Sequence, residues 1–247
     1  MKAIVFVGPT LSRDPAVQAS DLTFLPPAGH GDIYRATQSS SVIIGLVDGY
    51  FETVPAVWHK EILYALSKGV HVFGAASMGA LRAAELWSFG MVGIGAIFEA
   101  YRDNRLADDD EVAIVHGPAE LDYLPVTEAM VNVRATVEAA VKASILGVAA
   151  GDTISLLAKA MYYKERTWNA ILAATILNGV SARECETFRA WLPGGAVDRK
   201  RADALQMLRE IRLLIRSGAP RFQPDFEFQE TLDWNHALSD FRNAPGA

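Results

Sequence analysis

The feature that most constrains the fold is an alternation, in the first half of the chain, of short apolar runs with helical patterns. Four runs are rich in β-branched residues and stop at Gly, Asp or His: Ala3 to Val7, Val42 to Val47, Val70 to Phe73 and Val112 to Val115. Continuously apolar runs are typical of strands covered on both faces, and their alternation with helices is typical of a parallel sheet. We therefore predict an α/β fold, a mostly parallel sheet with flanking helices.

The second half has a different pattern, because from Pro125 onward helical signals follow one another and strand signals are absent. Apolar residues recur there every three or four positions, as one buried helix face requires; examples are Met130, Val133, Val137, Val141 and Ile145. The last 25 residues are expected to pack loosely or to form an arm. We predict an α/β domain over residues 1–120 and an all-α domain over residues 121–247 that shares a core with it.

Composition and charge exclude several classes of protein. A net charge of −6 disfavours a broad electrostatic grip on nucleic acid or on an anionic membrane. The longest uncharged stretch has 16 residues, Thr167 to Ala182, whereas a bilayer span needs about 20. The first apolar run is too short for a secretory signal, so we expect a cytoplasmic protein. The single Cys185 excludes an internal disulfide, and no Cys/His spacing indicates a metal site.

The most informative segment for chemistry runs from Gly74 to Leu86, where a strand pattern enters a cluster of Gly, Ala and Ser and then a helix pattern. Such a sharp strand-to-helix turn can hold a nucleophilic hydroxyl outward, here that of Ser77. The N–H groups of Met78 and Gly79, at the start of the helix, are candidate donors to an oxyanion. The alternative is that Ser77 is only the N-cap of this helix, and the pattern alone does not decide between the two.

A nucleophilic serine needs a base, and two candidates stand out. Lys60 lies in a helix that we predict to begin near Pro55, with Thr53 as a plausible N-cap. Apolar neighbours in this helix could lower the pKa of Lys60. His116 follows a predicted strand, with Asp48 as its possible orienting carboxylate. Composition alone favours His116, because the ordinary pKa of histidine already suits a base. His59 is a weaker third candidate.

Three other segments have less specific patterns. Gly8-Pro9-Thr10, after the first predicted strand, could approach a phosphate, but it lacks the glycine spacing and the lysine of a phosphate-binding loop. The acidic run Asp108 to Glu111 could bind a cation or a basic partner, but such a run is more typical of a solvated turn. A segment from Arg199 to Arg221 is basic in an otherwise acidic chain, so it could dock an acidic partner or form the wet face of a helix.

Several of these segments, taken in order, resemble the TfuA family, the companion proteins of YcaO enzymes in peptide-backbone thioamidation. The resemblance covers roughly residues 3 to 135. It rests on five segments: Gly8-Pro9-Thr10-Leu11, Asp48-Gly49-Tyr50-Phe51, Val57-Trp58-His59-Lys60-Glu61-Ile62-Leu63, the segment Gly74 to Leu86, and Asp109-Asp110-Glu111-Val112-Ala113 with His116-Gly117-Pro118.

The resemblance implies a hydrolase that uses Ser77 as nucleophile and Lys60 as base, which reverses the preference for His116. It implies a thiocarboxylated ThiS-like sulfur carrier as substrate and a YcaO enzyme as partner, with no metal or nucleotide cofactor in this subunit. The residues expected to bind substrate or an oxyanion are Met78, Gly79, Asp48, Gly49, Arg82 and His116. Two alternatives stay open: a non-catalytic adaptor that presents the peptide or the carrier to YcaO, and a Ser-His-Asp hydrolase of small esters.

Overall fold

Five parallel strands form the sheet that the alternating pattern predicts, so the predicted fold class is confirmed. A computed structural model describes residues 2–18, 21–39, 42–50, 52 and 54–243. The strands are β1 (Ala3–Phe6), β2 (Thr23–Leu25), β3 (Ile43–Leu46), β4 (His71–Ala75) and β5 (Val92–Ile94). Their order across the sheet is β2-β1-β3-β4-β5, and every pair is parallel.

Three of the four predicted strands are confirmed, and the fourth is wrong. Residues Val112 to Val115 form no strand; Val112 and Ala113 are buried, but the Val112 N–H donates to Asp109 in a turn and its carbonyl accepts the Lys200 amine. These partners take the place of a strand neighbour. The patterns missed β2 and β5, which have only three residues each and exposed positions.

Four helices belong to the sheet: α1 (Asp32–Gln38), α2 (His59–Ser67), α3 (Met78–Leu86) and α4 (Ala96–Arg102). Because parallel crossovers are right-handed, the connections β2 to β3, β3 to β4 and β4 to β5 place α1, α2 and α3 on the same face. The helix predicted from Pro55 begins only at His59. The proposed cap Thr53, and Phe51 of the quoted motif, lie outside the described residues.

Residues from Leu106 to Ala202 form a compact unit of their own. Its helices are α5 (Met130–Lys142), α6 (Val148–Ala160), α7 (Trp168–Leu177) and α8 (Ala182–Gly195). The predicted face of α5 is confirmed, since Met130, Val133 and Val137 are buried in one cluster, with Val141 and Ile145 packed against it. Cys185 is buried in the same cluster, and burial raises the pKa of its thiol.

The other unit consists of residues 1–105 with residues 203–247. The long helix α9 (Arg199–Ser217) contributes Ala204, Met207, Leu208 and Ile211 to the cluster that contains Val5 and Phe73 of the sheet. This division differs from the predicted boundary at residue 120, because one face of the sheet is covered by a helix from the far end of the chain. The shared core that we expect between the halves stays a prediction.

Residues 232–243 near the C-terminus form a packed helix, contrary to the expectation that this segment packs loosely. Helix α10 (Leu232–Asn243) places Trp234 fully buried in an aromatic cluster with Tyr34, Phe241 and the partly buried Tyr64. Among the described residues, no helix is both long and apolar enough to cross a bilayer.

Candidate functional site

The turn between β4 and α3 has the sharp geometry that the sequence predicts. Ala76 adopts φ +66°, and the N–H of Ser77 donates to the Ala75 carbonyl at 2.9 Å, which closes a γ-turn. A positive φ at the centre of a γ-turn is rare and strained for a residue with a side chain. The positive φ lies at Ala76, whereas Ser77 has φ −106° and ψ −124°.

The Ser77 hydroxyl is half-buried and does not cap the helix that follows it. Ser77 occupies the N-cap position of α3, but its side chain accepts no hydrogen bond from the first turn. Its carbonyl, by contrast, accepts the N–H groups of Ala80 and Leu81. Among the residues described, the hydroxyl has no hydrogen-bond partner, so capping does not account for a serine at this position.

Two glycines let the first turn of α3 lie directly against the ends of β3 and β4. A Cβ on Gly79 would overlap the carbonyl oxygen of Leu46, and a Cβ on Gly74 would overlap the carbonyl oxygen of Gly79. The Gly79 N–H donates to the Val47 carbonyl at 3.1 Å. That donor is therefore occupied, and the predicted oxyanion role of Gly79 is not supported. Met78, the first residue of α3, is the remaining candidate donor.

A charged cluster lies along α3. The Arg82 guanidinium donates through Nε to the Val57 carbonyl at 2.9 Å and through Nη1 to Glu85 Oε2 at 2.8 Å. His59 Nε2 lies 2.7 Å from the same carboxylate oxygen. Burial raises the pKa of Glu85, but the hydrogen bond from His59 and the charge of Arg82 outweigh it and hold the pKa below its usual range. Arg82 thus links α3 to Val57, which lies just before the start of α2.

Lys60 is directed away from this cluster. Its Nζ lies 3.4 Å from Thr231 Oγ1 and 5.3 Å from the centroid of the Phe228 ring. Its neighbour His59 contacts Glu85 in the last turn of α3, whereas Ser77 precedes the first turn. Within the described part of the chain, Ser77 and Lys60 are thus not brought into contact.

The residue that sequence reasoning overlooked is Glu61, which is fully buried. Its carboxylate accepts the backbone N–H groups of Trp58 at 3.2 Å and Tyr34 at 3.3 Å, and also that of Gly31. It therefore joins the starts of α1 and α2. A glutamate at the third position of a helix, next to a predicted helix start, is the signal that could have identified it. Burial raises its pKa to about 7, against the lowering effect of the three N–H donors.

We expect Glu61 to make stability depend on pH. Its folded-state pKa is raised from 4.5 to about 7, so its stabilising contribution is full below pH 4.5 and is lost as the pH rises to about 7. Over that interval the free energy of unfolding of the wild type should fall by up to about 3 kcal/mol relative to that of Glu61→Gln. Urea titrations at several pH values measure this difference. Glu99→Gln, which removes an exposed carboxylate in α4, is the control variant.

Asp48 lies at the point where the strand order reverses, between the ends of β1 and β3. Ligands of open α/β sheets commonly bind at such a point. Here the buried Asp48 carboxylate accepts the N–H groups of Gly8 at 2.9 Å and Thr10 at 3.0 Å, and the Thr10 hydroxyl at 2.6 Å. The N–H groups that could hold a phosphate are therefore occupied by the protein's own carboxylate. Gly49 packs against Met78, since a Cβ there would lie 2.9 Å from Met78 Cγ.

His116 belongs to the unit of residues 106–202. Its Nδ1 lies 2.7 Å from the Gly117 carbonyl, and its ring packs edge-on against Tyr123 at 5.7 Å between centroids. The hydrogen bonds of Asp48 go to Gly8 and Thr10, so the described contacts do not support Asp48 as the orienting group of His116.

The acidic run forms internal ion pairs. Asp110 pairs with Lys159 and with the fully buried Arg166, and Glu111 pairs with Arg134 at 2.9 Å. Burial raises the pKa of Asp110, but the hydrogen bonds from Lys159 and Arg166 outweigh it and hold the pKa below its usual range. No group of three potential metal-ligating side chains occurs among the residues described. The acidic run is thus paired with basic side chains of the same unit and is not a purely solvated turn.

Comparison with known proteins gives one match, to a protein family. No curated protein matches the chain. The model of the TfuA-like protein family matches residues 48–167, which contain Lys60, Ser77 and His116. The match begins at Asp48, which binds the loop at Gly8 and Thr10, and ends one residue after the buried Arg166. Residues 48–167, which include the strained turn at Ser77, thus match the family of TfuA-like proteins.

Proposed function

We propose that this protein releases sulfide from a thiocarboxylated ThiS-like sulfur carrier for use by a YcaO enzyme. The match to the TfuA-like family supports a YcaO-associated role in thioamidation, and the hydrolytic step is the further part of the proposal. The observation that carries it is the Ser77 hydroxyl, which has no partner among the described residues and follows a strained residue at the start of a helix. Strain of this kind is concentrated at functional sites.

The proposed reaction has two steps. In the first, the Ser77 oxygen attacks the carbon of the carrier's terminal thiocarboxylate, and the tetrahedral intermediate expels hydrosulfide to leave an ester on Ser77. In the second, water attacks the ester carbon, which releases the carrier with a carboxylate terminus and restores the hydroxyl. The Met78 N–H, at the positive end of α3, is the donor that we assign to the developing oxyanion.

We assign the role of proton acceptor to Lys60. This role requires a position of the Lys60 amine that differs from the one described. The amine now lies against Thr231 and Phe228, so it must leave them before it can reach Ser77. Catalytic hydrogen bonds often form only when substrate is bound. We propose that carrier binding releases Lys60 from residues 228–231 and that the neutral amine then accepts the Ser77 proton.

Replacement of this base should slow the reaction without unfolding the protein. We expect Lys60→Ala to lower the rate of sulfide release by about 100-fold or more, the usual contribution of a general base. Sulfide released from a thiocarboxylated carrier measures the effect. Lys68→Ala is the matched control, because Lys68 stands at the other end of α2 with its amine 5.1 Å from an aromatic ring centroid. Equal rates for the two variants would exclude Lys60 as the base.

A second function, from another class, is favoured by one specific observation. Ser77 has no base in contact with it among the described residues, and an adaptor that only presents the carrier or the peptide to YcaO would need none. Reconstituted thioamidation separates the two functions: an adaptor keeps full activity when Ser77 is replaced by Ala, and the hydrolase does not. The ester hydrolase alternative has no such observation in its favour, because the Asp48 carboxylate is bound to Gly8 and Thr10.

A further inference from the structure

A loop in the unit of residues 106–202 presents three large apolar side chains to solvent. We call residues 116–127 the Leu121 loop. Leu121, Leu124 and Val126 in this loop are 55%, 49% and 61% exposed. Scattered single apolar residues on a surface are ordinary, but three within six positions form a local patch. The patch lies inside the region that matches the TfuA-like family.

The Leu121 loop is held in one conformation by its own backbone. Gly117 donates to the Leu124 carbonyl at 2.9 Å, and Val126 donates to the Val115 carbonyl at 2.8 Å, so the two sides of the loop are joined as a short ladder. At the tip, Tyr123 donates to the Pro118 carbonyl at 3.1 Å. An exposed patch on such a loop loses little conformational freedom when it binds.

The tip of the loop is strained. Two consecutive residues that are not glycine, Asp122 and Tyr123, adopt φ of 54° and 55°. The left-handed region is tolerated by aspartate but is a true outlier for a bulky residue such as tyrosine. The His116 ring packs edge-on against Tyr123 and helps to hold it there. The contacts of His116, a candidate base from the sequence, therefore indicate that it supports this loop.

The segment that carries the apolar tip contains acidic residues and no basic ones. Residues 106–133 contain no Lys or Arg, and they contain the exposed acids Glu120 and Asp122 beside Leu121. The ion pairs of the acidic run are made by bases from elsewhere in the chain, Arg134, Lys159 and Arg166. A complementary surface would therefore combine an apolar pocket with a basic rim.

We propose that the Leu121 loop is a docking element that inserts Leu121 and Leu124 into an apolar pocket of a partner protein, with Lys or Arg residues of that partner facing Glu120. The inference rests on the proposed function in one respect, since we take the YcaO enzyme to be the partner. A pre-formed loop whose apolar anchors become buried on binding, surrounded by a polar rim, is the usual anatomy of a binding hot spot.

The test is the affinity of the full chain for the purified YcaO enzyme from the same source, measured by isothermal titration calorimetry. We expect the double variant Leu121→Ser with Leu124→Ser to bind at least about 30-fold more weakly, as hot-spot residues do. Leu177→Ser is the matched control: Leu177 ends α7 in the same unit and is 87% exposed, yet lies outside the loop. We expect it to bind as the wild type does.

A charge variant gives a second reading that does not depend on the leucines. Glu120→Lys should weaken binding, most strongly at low salt, where attraction between the two surfaces is least screened. Wild-type affinity in both the double variant and Glu120→Lys would overturn the docking proposal while leaving the association with YcaO intact. Absence of binding by the wild type would overturn that association and the docking proposal with it. Sulfide release from the carrier alone should be unchanged in these variants.

Discussion

Ser77→Ala should abolish the release of sulfide from a thiocarboxylated carrier, with a fall in rate of at least about 1000-fold. The expectation follows from the proposed covalent step, because without the hydroxyl no ester can form and only direct attack by water is left. Loss of a serine nucleophile costs several orders of magnitude in hydrolases of this kind. The measurement is sulfide produced per protein under single-turnover conditions, with trapping of a carrier–protein ester in the wild type as a direct readout.

The fold should survive this substitution. The Ser77 hydroxyl makes no cap bond, and the backbone bonds of the turn run through the Ser77 N–H and carbonyl, which alanine keeps. The melting temperature should therefore stay close to that of the wild type. Ser67→Ala is the control, since the Ser67 hydroxyl donates to the Tyr64 carbonyl in the last turn of α2 and has no proposed chemistry. Full sulfide release by Ser77→Ala would remove the hydrolase and leave the adaptor.

The strand-to-helix turn at Ser77 could be predicted from the sequence because its causes are local. A β-branched strand, a cluster of small residues and a helix-forming run occupy 17 consecutive positions, Val70 to Leu86, and they fold as β4, the turn and α3. The glycines that the turn requires could be recognised in the same window. What the sequence could not show is that the Gly79 N–H donates to the Val47 carbonyl, because that bond joins α3 to the residue after β3, and the pairing of β3 with β4 is set by the whole sheet.

The position of the Lys60 amine could not be predicted, because its neighbours come from 168 and 171 positions further along the chain, at Phe228 and Thr231. The same holds for the cover of the sheet. Helix α9 follows the helical unit in the sequence but packs on one face of the sheet, so the observed division differs from a single boundary at residue 120. Helix periodicity identifies an apolar face but does not say which surface that face will bury. Contacts between residues distant in sequence therefore determine the position of the Lys60 amine and the cover of the sheet, which sequence patterns do not predict.

The close approach of α3 to the sheet leads to the second large effect, which is on stability. Gly79→Ala should lower the free energy of unfolding by about 3 kcal/mol or more, since a Cβ at Gly79 would overlap the Leu46 carbonyl oxygen, a backbone atom that can move only with its strand. The helix would have to withdraw from β3, which breaks the bond from the Gly79 N–H to Val47 and relaxes the turn at Ser77. Both chemical denaturation and the rate of sulfide release should report the change.

Gly194→Ala is the matched control for this prediction. Gly194 lies in α8, and a Cβ there would have no heavy atom within 4 Å. Alanine is a better helix former than glycine by about 1 kcal/mol, so this variant should be as stable as the wild type or slightly more stable. If Gly79→Ala matched Gly194→Ala in stability, α3 could not lie against β3 as described. The Gly79 N–H would then be free, and the oxyanion donors proposed from the sequence would be restored. A loss confined to Gly79→Ala would instead place the contact of α3 with β3 among the requirements of the site, because the position of Ser77 depends on it.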